Sequence, residues 1–219
     1  MINIKISDNL KRVCPYLRLG LIQSDIEYQK ENLSLWAEIE KTIYQIKNSI
    51  SKEQITGLTV IQDTREAYLA MGKEPARYRC SAEALLRRII KGKDLYKINN
   101  IVDIINLISI SSQFSIGCYD YNQLVEPIIF DIGWKDEIYQ TIGRGTMNIN
   151  NLPVFRDSIG AFGSPTSDSE RTMVTSMTKN ILVAIIDFNG DNSLEETLEN
   201  TVFYLKQYAN AKEPNYYTV

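Results

Sequence analysis

The 219-residue chain contains no histidine. That absence removes every Ser-His-Asp or Cys-His mechanism and every histidine-based metal site. Its cysteines, Cys14, Cys80 and Cys118, are odd in number, far apart and not arranged as C-x-x-C, which disfavours a disulfide framework or a zinc site. Long apolar runs are missing too. Met1 to Asp8 alternates like a strand and has no signal-peptide core, and no later segment has about eighteen uninterrupted apolar residues. The expectation is a cytoplasmic protein with no membrane span, no metal and no cofactor. Positive charge is not in surplus either: 24 Lys and Arg stand against 27 Asp and Glu, for a net charge of -3. With no global positive field, any contact with nucleic acid needs a local basic patch.

What is present describes a globular chain, 44% apolar and 23% charged, of a length that one α/β or α+β domain commonly reaches. Ile2 to Ile6 and Tyr16 to Ile22 look like strands, the second ending at Ser24-Asp25, a pair suited to capping a helix. Trp36, Ile39, Ile43 and Ile46 repeat at helical spacing. Arg65 and Tyr68 share a face of a helix that Gly72 ends. Ser81 is placed to cap the next helix, Glu83 lies in its first turn, and Leu85, Leu86 and Ile89 form its buried side. Asn99-Asn100 precede a helix carrying Ile101, Ile104, Ile105, Asn106 and Ile108. Short strands follow at 115–119, 128–132 and 137–143, with turns at 143–145 and 150–151. Ser193 to Glu196 has capping-box spacing ahead of Leu194, Leu198, Val202 and Leu205, and the tail after Lys212 looks loosely held. Helices gather in the first half and strands in the second, which favours an α+β domain. The expected organisation is one unit over 1–219, with a strand-and-helix region over 1–60 and a core over 64–210.

Two stretches carry candidate chemistry. Gly160 to Asn180 begins as a Gly/Ser/Pro loop, becomes a hydroxyl-rich ribbon holding Asp168 and Arg171 close together, and runs into the apolar strand Ile181 to Ile186. Serine and threonine donate and accept hydrogen bonds, and glycine admits a ligand to the backbone, so the ribbon suits a pocket. The same residues also make ordinary turn networks. Between Arg77 and Lys93 there are six cations, Arg77, Arg79, Arg87, Arg88, Lys91 and Lys93, against the single carboxylate of Glu83. This is either a phosphate-contacting surface or a solvated helix face.

Several segments together resemble the B3/B4 domain of the phenylalanyl-tRNA synthetase β chain. They are Arg65-Glu66-Ala67-Tyr68 with Gly72 and Pro75, Ser81 to Arg88, Ile98 to Asn106, Ile116 to Asp120, Asp168 to Thr172, and Thr178 to Leu182. The likeness covers roughly two thirds of the chain. It implies a single B3/B4-like domain with a mixed or antiparallel sheet flanked by helices. It also implies an editing activity, because the synthetase domain hydrolyses tyrosine wrongly attached to the phenylalanine tRNA and freestanding relatives resemble deacylases acting in trans. Nothing matches the synthetase's ATP-binding core, so no aminoacylation is implied. Two departures stand out. Gly117 occupies the place of a histidine in the bacterial synthetase motif, and Ala184 aligns with a carboxylate, so tyrosine specificity does not carry over.

Under this resemblance the partner is the aminoacylated 3′ end of a tRNA together with its amino acid moiety. Asp168, Ser169 and Thr172 are the catalytic candidates. Asn106, Tyr119, Gly163, Ser167, Arg171 and Thr178 are the substrate-binding candidates, the ribbon and Asn106 converging on one cavity. Arg171 has a structural ion-pair role as its alternative. The basic segment from Arg77 to Lys93 would hold the acceptor stem. An aminoacyl ester is already activated, so a positioned water and a stabilised oxyanion suffice without a covalent nucleophile. The rival readings are a binding module of the same fold without hydrolysis and a structural protein whose polar loop is ordinary packing.

Overall fold

A computed structural model describes residues 3–143, 145–190 and 193–219. In chain order the elements are β1 (Ile4–Ile6), α1 (Asp8–Val13), β2 (Arg18–Asp25), α2 (Leu33–Ser49), α3 (Thr59–Ala70), α4 (Ser81–Ile90), α5 (Asn100–Ser112) and β3 (Ser115–Asp120). There follow β4 (Ile128–Ile132), β5 (Ile138–Thr141), β6 (Gly145–Asn148), β7 (Pro153–Arg156), β8 (Ala161–Gly163), β9 (Asn180–Asp187), α6 (Ser193–Ala209) and β10 (Lys212–Thr218). The fold is α+β.

Strand β9 is the axis of the arrangement. It lies between β2 and β3 in the antiparallel sheet β10-β2-β9-β3, and its apolar run is continuous because both of its faces are covered. Ile181, Val183 and Ile185 join Ile22 and Ile116 under the apolar stripes of α2, α4, α5 and α6. Leu182, Ala184 and Ile186 point the other way, into a second core with Leu19, Leu21, Tyr119, Phe130, Val154, Phe155 and Phe162. That second core is closed by the sheet β1-β4-β7-β8, parallel between β1 and β4 and otherwise antiparallel, and by Ala67, Tyr68 and Met71 from α3 and the residue that ends it. A separate hairpin, β5-β6, stands beside this sheet. Gly20 shows how tightly the helical layer is seated, since a Cβ there would lie 2.9 Å from Leu194 Cδ1 and 3.0 Å from Leu198 Cγ on α6.

Most element boundaries follow the sequence pattern. Asn99 caps α5 by accepting from the Val102 amide at 2.9 Å, and Gly72 and Gly92 take positive φ just after α3 and α4. Four expectations need correcting. Ser24-Asp25 does not cap a helix: ladder pairing to β9 continues through Asp25 opposite Asn180, and α2 is capped by Asn32, whose side chain accepts from Leu35 at 3.0 Å. Ser81 is the first residue of α4, with Cys80 at the cap position and no side-chain cap bond there. Ser193 is likewise already helical, and the position ahead of it lies outside the described residues, as does Arg144 in the 143–145 turn. The tail after Lys212 is not loose. It forms β10, pairing Tyr216 with Ile22, Tyr217 with Leu21 and Thr218 with Gly20. As an edge strand with one solvated side it carries little apolar signal, and its Pro214 falls where the register shifts.

Candidate functional site

Strand β3 is the outer strand of its sheet, so one of its edges is unpaired. The loop after β8 covers that edge and brings Asp168 to Tyr119. The Tyr119 hydroxyl donates to Asp168 Oδ1 at 3.1 Å. Alternation along β3 puts the Tyr119 ring into the second core, fully buried and edge-on to Phe162 at 4.8 Å and to Phe155 at 5.9 Å between centroids. Two glycines make this seat possible. A Cβ on Gly117 would lie 2.0 Å from the Tyr119 hydroxyl oxygen, and a Cβ on Gly163 would lie 2.1 Å from it. No other residue fits at either position with Tyr119 in place.

Asp168 is half-buried, and loss of solvent around its carboxyl pushes its pKa up to about 7. The Tyr119 hydroxyl and the backbone N–H groups of Ser164 and Cys118 favour the anion and limit the rise. The result is a carboxyl group that exchanges its proton near neutrality. Tyr119 stays protonated: burial first, then the neighbouring carboxyl of Asp168, push its phenol well above the usual range. Burial, with Asp168 and Asp120 beyond it, also holds the Cys118 thiol in its protonated form, so Cys118 is no thiolate nucleophile.

A hydroxyl network fixes the loop. Tyr139 from β5 donates to the Ser167 carbonyl oxygen at 2.5 Å and lies 3.0 Å from the Ser164 hydroxyl. Thr166 Oγ1 is 2.9 Å from the Tyr68 hydroxyl and donates to the Tyr78 carbonyl at 3.2 Å. The Ile142 amide donates to the Asp168 carbonyl at 3.1 Å, next to a bridge between Thr141 and Ser169. Asp168 is thus held from β3, from the β5-β6 hairpin and, through Tyr68 and Tyr78, from the region of α3 and α4.

The other sequence candidates are distributed as follows. Ser169 is buried and caps the 3-10 turn Glu170–Thr172, accepting from the Arg171 amide at 3.3 Å. Thr172 is fully buried, and its hydroxyl has no hydrogen-bond partner among the described residues. Arg171 does not pair with Asp168. It forms a fork on Asp157, with bonds of 3.0 and 2.9 Å, and also donates to the Gln123 carbonyl at 3.0 Å. Thr178 donates to Asp120 Oδ2 at 2.7 Å and accepts from the Thr175 amide. Gly163 packs under Tyr119, and Ser167 contributes its carbonyl to Tyr139. Asn106 is half-buried on α5, which packs against α6, α2, α4 and β3, and among the described residues it makes no hydrogen bond to the ribbon.

The basic segment divides in two. Arg79 and Arg87 meet at the buried Glu83, where they are joined by Arg65 of α3. Arg88 instead donates to the Asp94 carbonyl at 2.6 Å and stacks 4.0 Å from the Tyr96 ring centre. Arg77 lies exposed near the Tyr78 ring, and Lys91 and Lys93 are exposed beyond the end of α4. Sequence reading missed the roles of Arg65, Asp157 and Tyr139. Arg65 had a signal, its position one helical turn from Tyr68; the partnerships of Asp157 and Tyr139 depend on long-range pairing that no local pattern records.

These features define an α+β protein with a carboxyl–phenol pair set in a serine-rich loop at a sheet edge. The profile of the B3/4 domain matches residues 63–198, and the chain belongs to that family. Among solved structures it is similar to an N-terminal fragment of the phenylalanyl-tRNA synthetase β-subunit from Pyrococcus horikoshii. The two are 16% identical, the match covers 96% of this chain and 50% of that one, and the TM-score is 0.48. This chain therefore spans about half the length of that fragment. No curated protein matches it. Among the described residues, no helix is long and apolar enough to cross a membrane.

Proposed function

We propose that this protein is a trans-editing deacylase that hydrolyses the ester of a mischarged aminoacyl-tRNA. The resemblance of its motifs to the synthetase editing domain supports the tRNA half of this reading. The observation that carries the chemistry is Asp168, a half-buried carboxyl lifted to about 7 beside a rigid polar loop. As the carboxylate it accepts a proton from water while the water oxygen attacks the ester carbonyl carbon. As the acid it returns that proton to the departing 3′ ribose oxygen, so tRNA and free amino acid leave and Asp168 is regenerated. Thr172, whose buried hydroxyl has no partner among the described residues, is the candidate to meet water or substrate, since such groups are normally satisfied. Arg171 is assigned to holding the loop through Asp157, and Thr178 to holding Asp120.

One observation favours a second reading, a binding module that sequesters an aminoacyl-tRNA or amino acid without hydrolysis. The Tyr119 ring fills the space over Gly117 and Gly163, so the interior behind Asp168 is closed. A panel of tRNAs charged with proteinogenic and non-proteinogenic amino acids separates the two. Release of amino acid by the native protein, lost in Asp168→Asn, is the result expected of a deacylase. Saturable binding with no release from any member would replace it with the binding module, and neither binding nor release would remove both.

A further inference from the structure

Glu83 is an unusual carboxylate in that three arginines converge on it. Its Oε2 accepts from Arg65 Nη1 at 2.9 Å, its Oε1 accepts from Arg87 Nε at 2.6 Å, and Arg79 Nε lies 3.5 Å from the same Oε1. The Glu83 side chain is 1% exposed, whereas those of Arg65, Arg79 and Arg87 are 24%, 43% and 21% exposed. The carboxylate is therefore behind and the guanidiniums are in front, facing solvent. The three come from different places: Arg65 from α3, Arg79 from the segment ahead of α4, and Arg87 one turn along α4 from Glu83.

Neutralising a buried carboxylate takes one arginine. A second and a third bring two surplus positive charges together, which repel one another unless an anion joins them. The bonds to Glu83 and that from Arg79 Nη2 to the Ala76 carbonyl account for few of the N–H groups. A guanidinium has five donors in a fixed fork, and among the described residues no other acceptor holds the rest. The arms are also pre-set. Hydrogen bonds to Glu83 orient Arg65 and Arg87, and the Ala76 carbonyl holds Arg79 beside them, so less side-chain freedom remains to be lost when a ligand binds.

We propose that Arg65, Arg79 and Arg87, splayed around Glu83, form a cradle for a phosphate group. Two surplus charges and several forked donors match the charge and the multiple oxygens of a phosphoryl group better than a single carboxylate. The cradle is tied to the loop of Asp168. The Ser81 amide donates to the Pro165 carbonyl at 2.7 Å, and Tyr68, one turn beyond Arg65 on α3, meets Thr166. With an RNA ligand it would seat a backbone phosphate near the 3′ end. That extension rests on the RNA half of the function proposed above; the cradle itself does not depend on the chemistry of Asp168.

Binding of a short 5′-labelled single-stranded RNA ending in CCA, and of inorganic phosphate and AMP as competitors, tests this in the full chain. Arg79→Gln is the chosen variant because Arg79 is the most exposed of the three and Glu83 keeps two partners without it. Lys11→Gln on α1, also exposed, is the charge-matched control. Arg79→Gln should weaken RNA binding by about five- to tenfold and lower the salt slope by about one, while Lys11→Gln changes affinity less than about twofold. Displacement of the RNA by phosphate or AMP at similar concentrations would place free phosphate compounds among the ligands. Failure of both to compete would leave the RNA backbone as the source. Equal behaviour of Arg79→Gln and Lys11→Gln, or no binding of RNA or phosphate by the native protein, would overturn the cradle. Asp168→Asn tells this failure from that of the deacylase reading, since it should abolish hydrolysis and leave the Arg79-dependent binding unchanged.

Discussion

Gly117 and Ala184 stand directly opposite one another across the β3-β9 ladder. Under the resemblance drawn from the sequence, these are the positions that align with a histidine and a carboxylate of the synthetase motif. Pairing puts both small residues at one spot on one face of the sheet. Tyr119, two residues along β3 on that face, extends its hydroxyl over Gly117 to reach Asp168. The space over Gly117 is thus filled by a phenol that is hydrogen-bonded to the loop carboxyl.

Coupling between positions 117 and 119 follows from this seat. Gly117→Ala should destabilise the protein by about 1–3 kcal/mol, because the added methyl meets the Tyr119 ring. Tyr119→Leu removes the obstructing atoms, so the cost of Gly117→Ala should fall below about 0.5 kcal/mol in that background, within the additivity limit of independent sites. Urea unfolding of the four proteins of the cycle measures the coupling. Additive losses would show that Tyr119 does not occupy this space in solution.

A pH profile addresses Asp168 directly. If its carboxylate takes the proton from water, deacylation rises with pH to a plateau, with an apparent pKa of about 7. The Tyr119 hydroxyl stabilises the anion, so Tyr119→Phe should move that midpoint upward. A profile flat from pH 5.5 to 8.5 would remove Asp168 from the proton transfer.

The same carboxyl leaves a mark on stability. An aspartate in an unfolded chain titrates near 3.9, whereas Asp168 in the folded protein titrates near 7. Between those values the folded state holds a proton that the unfolded state has released, so this group's contribution declines as pH rises from about 4 to about 7. Asp168→Asn cannot ionise and keeps an acceptor for Tyr119. Its melting temperature relative to the native protein should therefore be higher at pH 8 than at pH 4.5. A difference independent of pH would mean that the folded-state pKa is not raised.

The Arg171–Asp157 fork makes a structural prediction. The Asp157 side chain is fully buried and also accepts from the amides of Val125, Ile159 and Gly160. Removing Arg171 leaves a buried carboxylate without its countercharge, so Arg171→Ala should cost about 3–5 kcal/mol. The loss should depend on Asp157 being present, with Asp157→Asn recovering part of it. Thermal unfolding in the two backgrounds is the measurement; a stable Arg171→Ala protein that has lost only ligand affinity would return Arg171 to the binding residues.

How much of this was legible in the sequence differs by element. The helices with regular apolar stripes and the strand Ile181 to Ile186 were readable because burial of one face, or of both, sets a period. Asp168 was readable as a candidate because a carboxylate at the end of a Gly/Ser loop is conspicuous. Its partner is not legible there, since nearness in sequence points to Arg171 while the fold gives Arg171 to Asp157 and Tyr119 to Asp168. The basic run was visible as a count of charge. Its division, with Arg79 and Arg87 turned to Glu83 and Arg88 turned to Tyr96, depends on how α3 docks beside α4.

The C-terminal strand was the least legible element, and it carries the last prediction. Lys212 to Thr218 is mostly exposed and polar, yet it covers the open edge of β2 along Gly20, Leu21, Ile22 and Gln23. Ending the chain at Ala211 removes those ladder bonds and the packing of Tyr217 on the second core. It also bares a long, apolar edge, the kind that pairs with other chains. The truncated protein should melt several degrees lower and self-associate as its concentration rises, which light scattering detects. Unchanged melting and a monomer at all concentrations would show that β10 does not pair with β2 in solution.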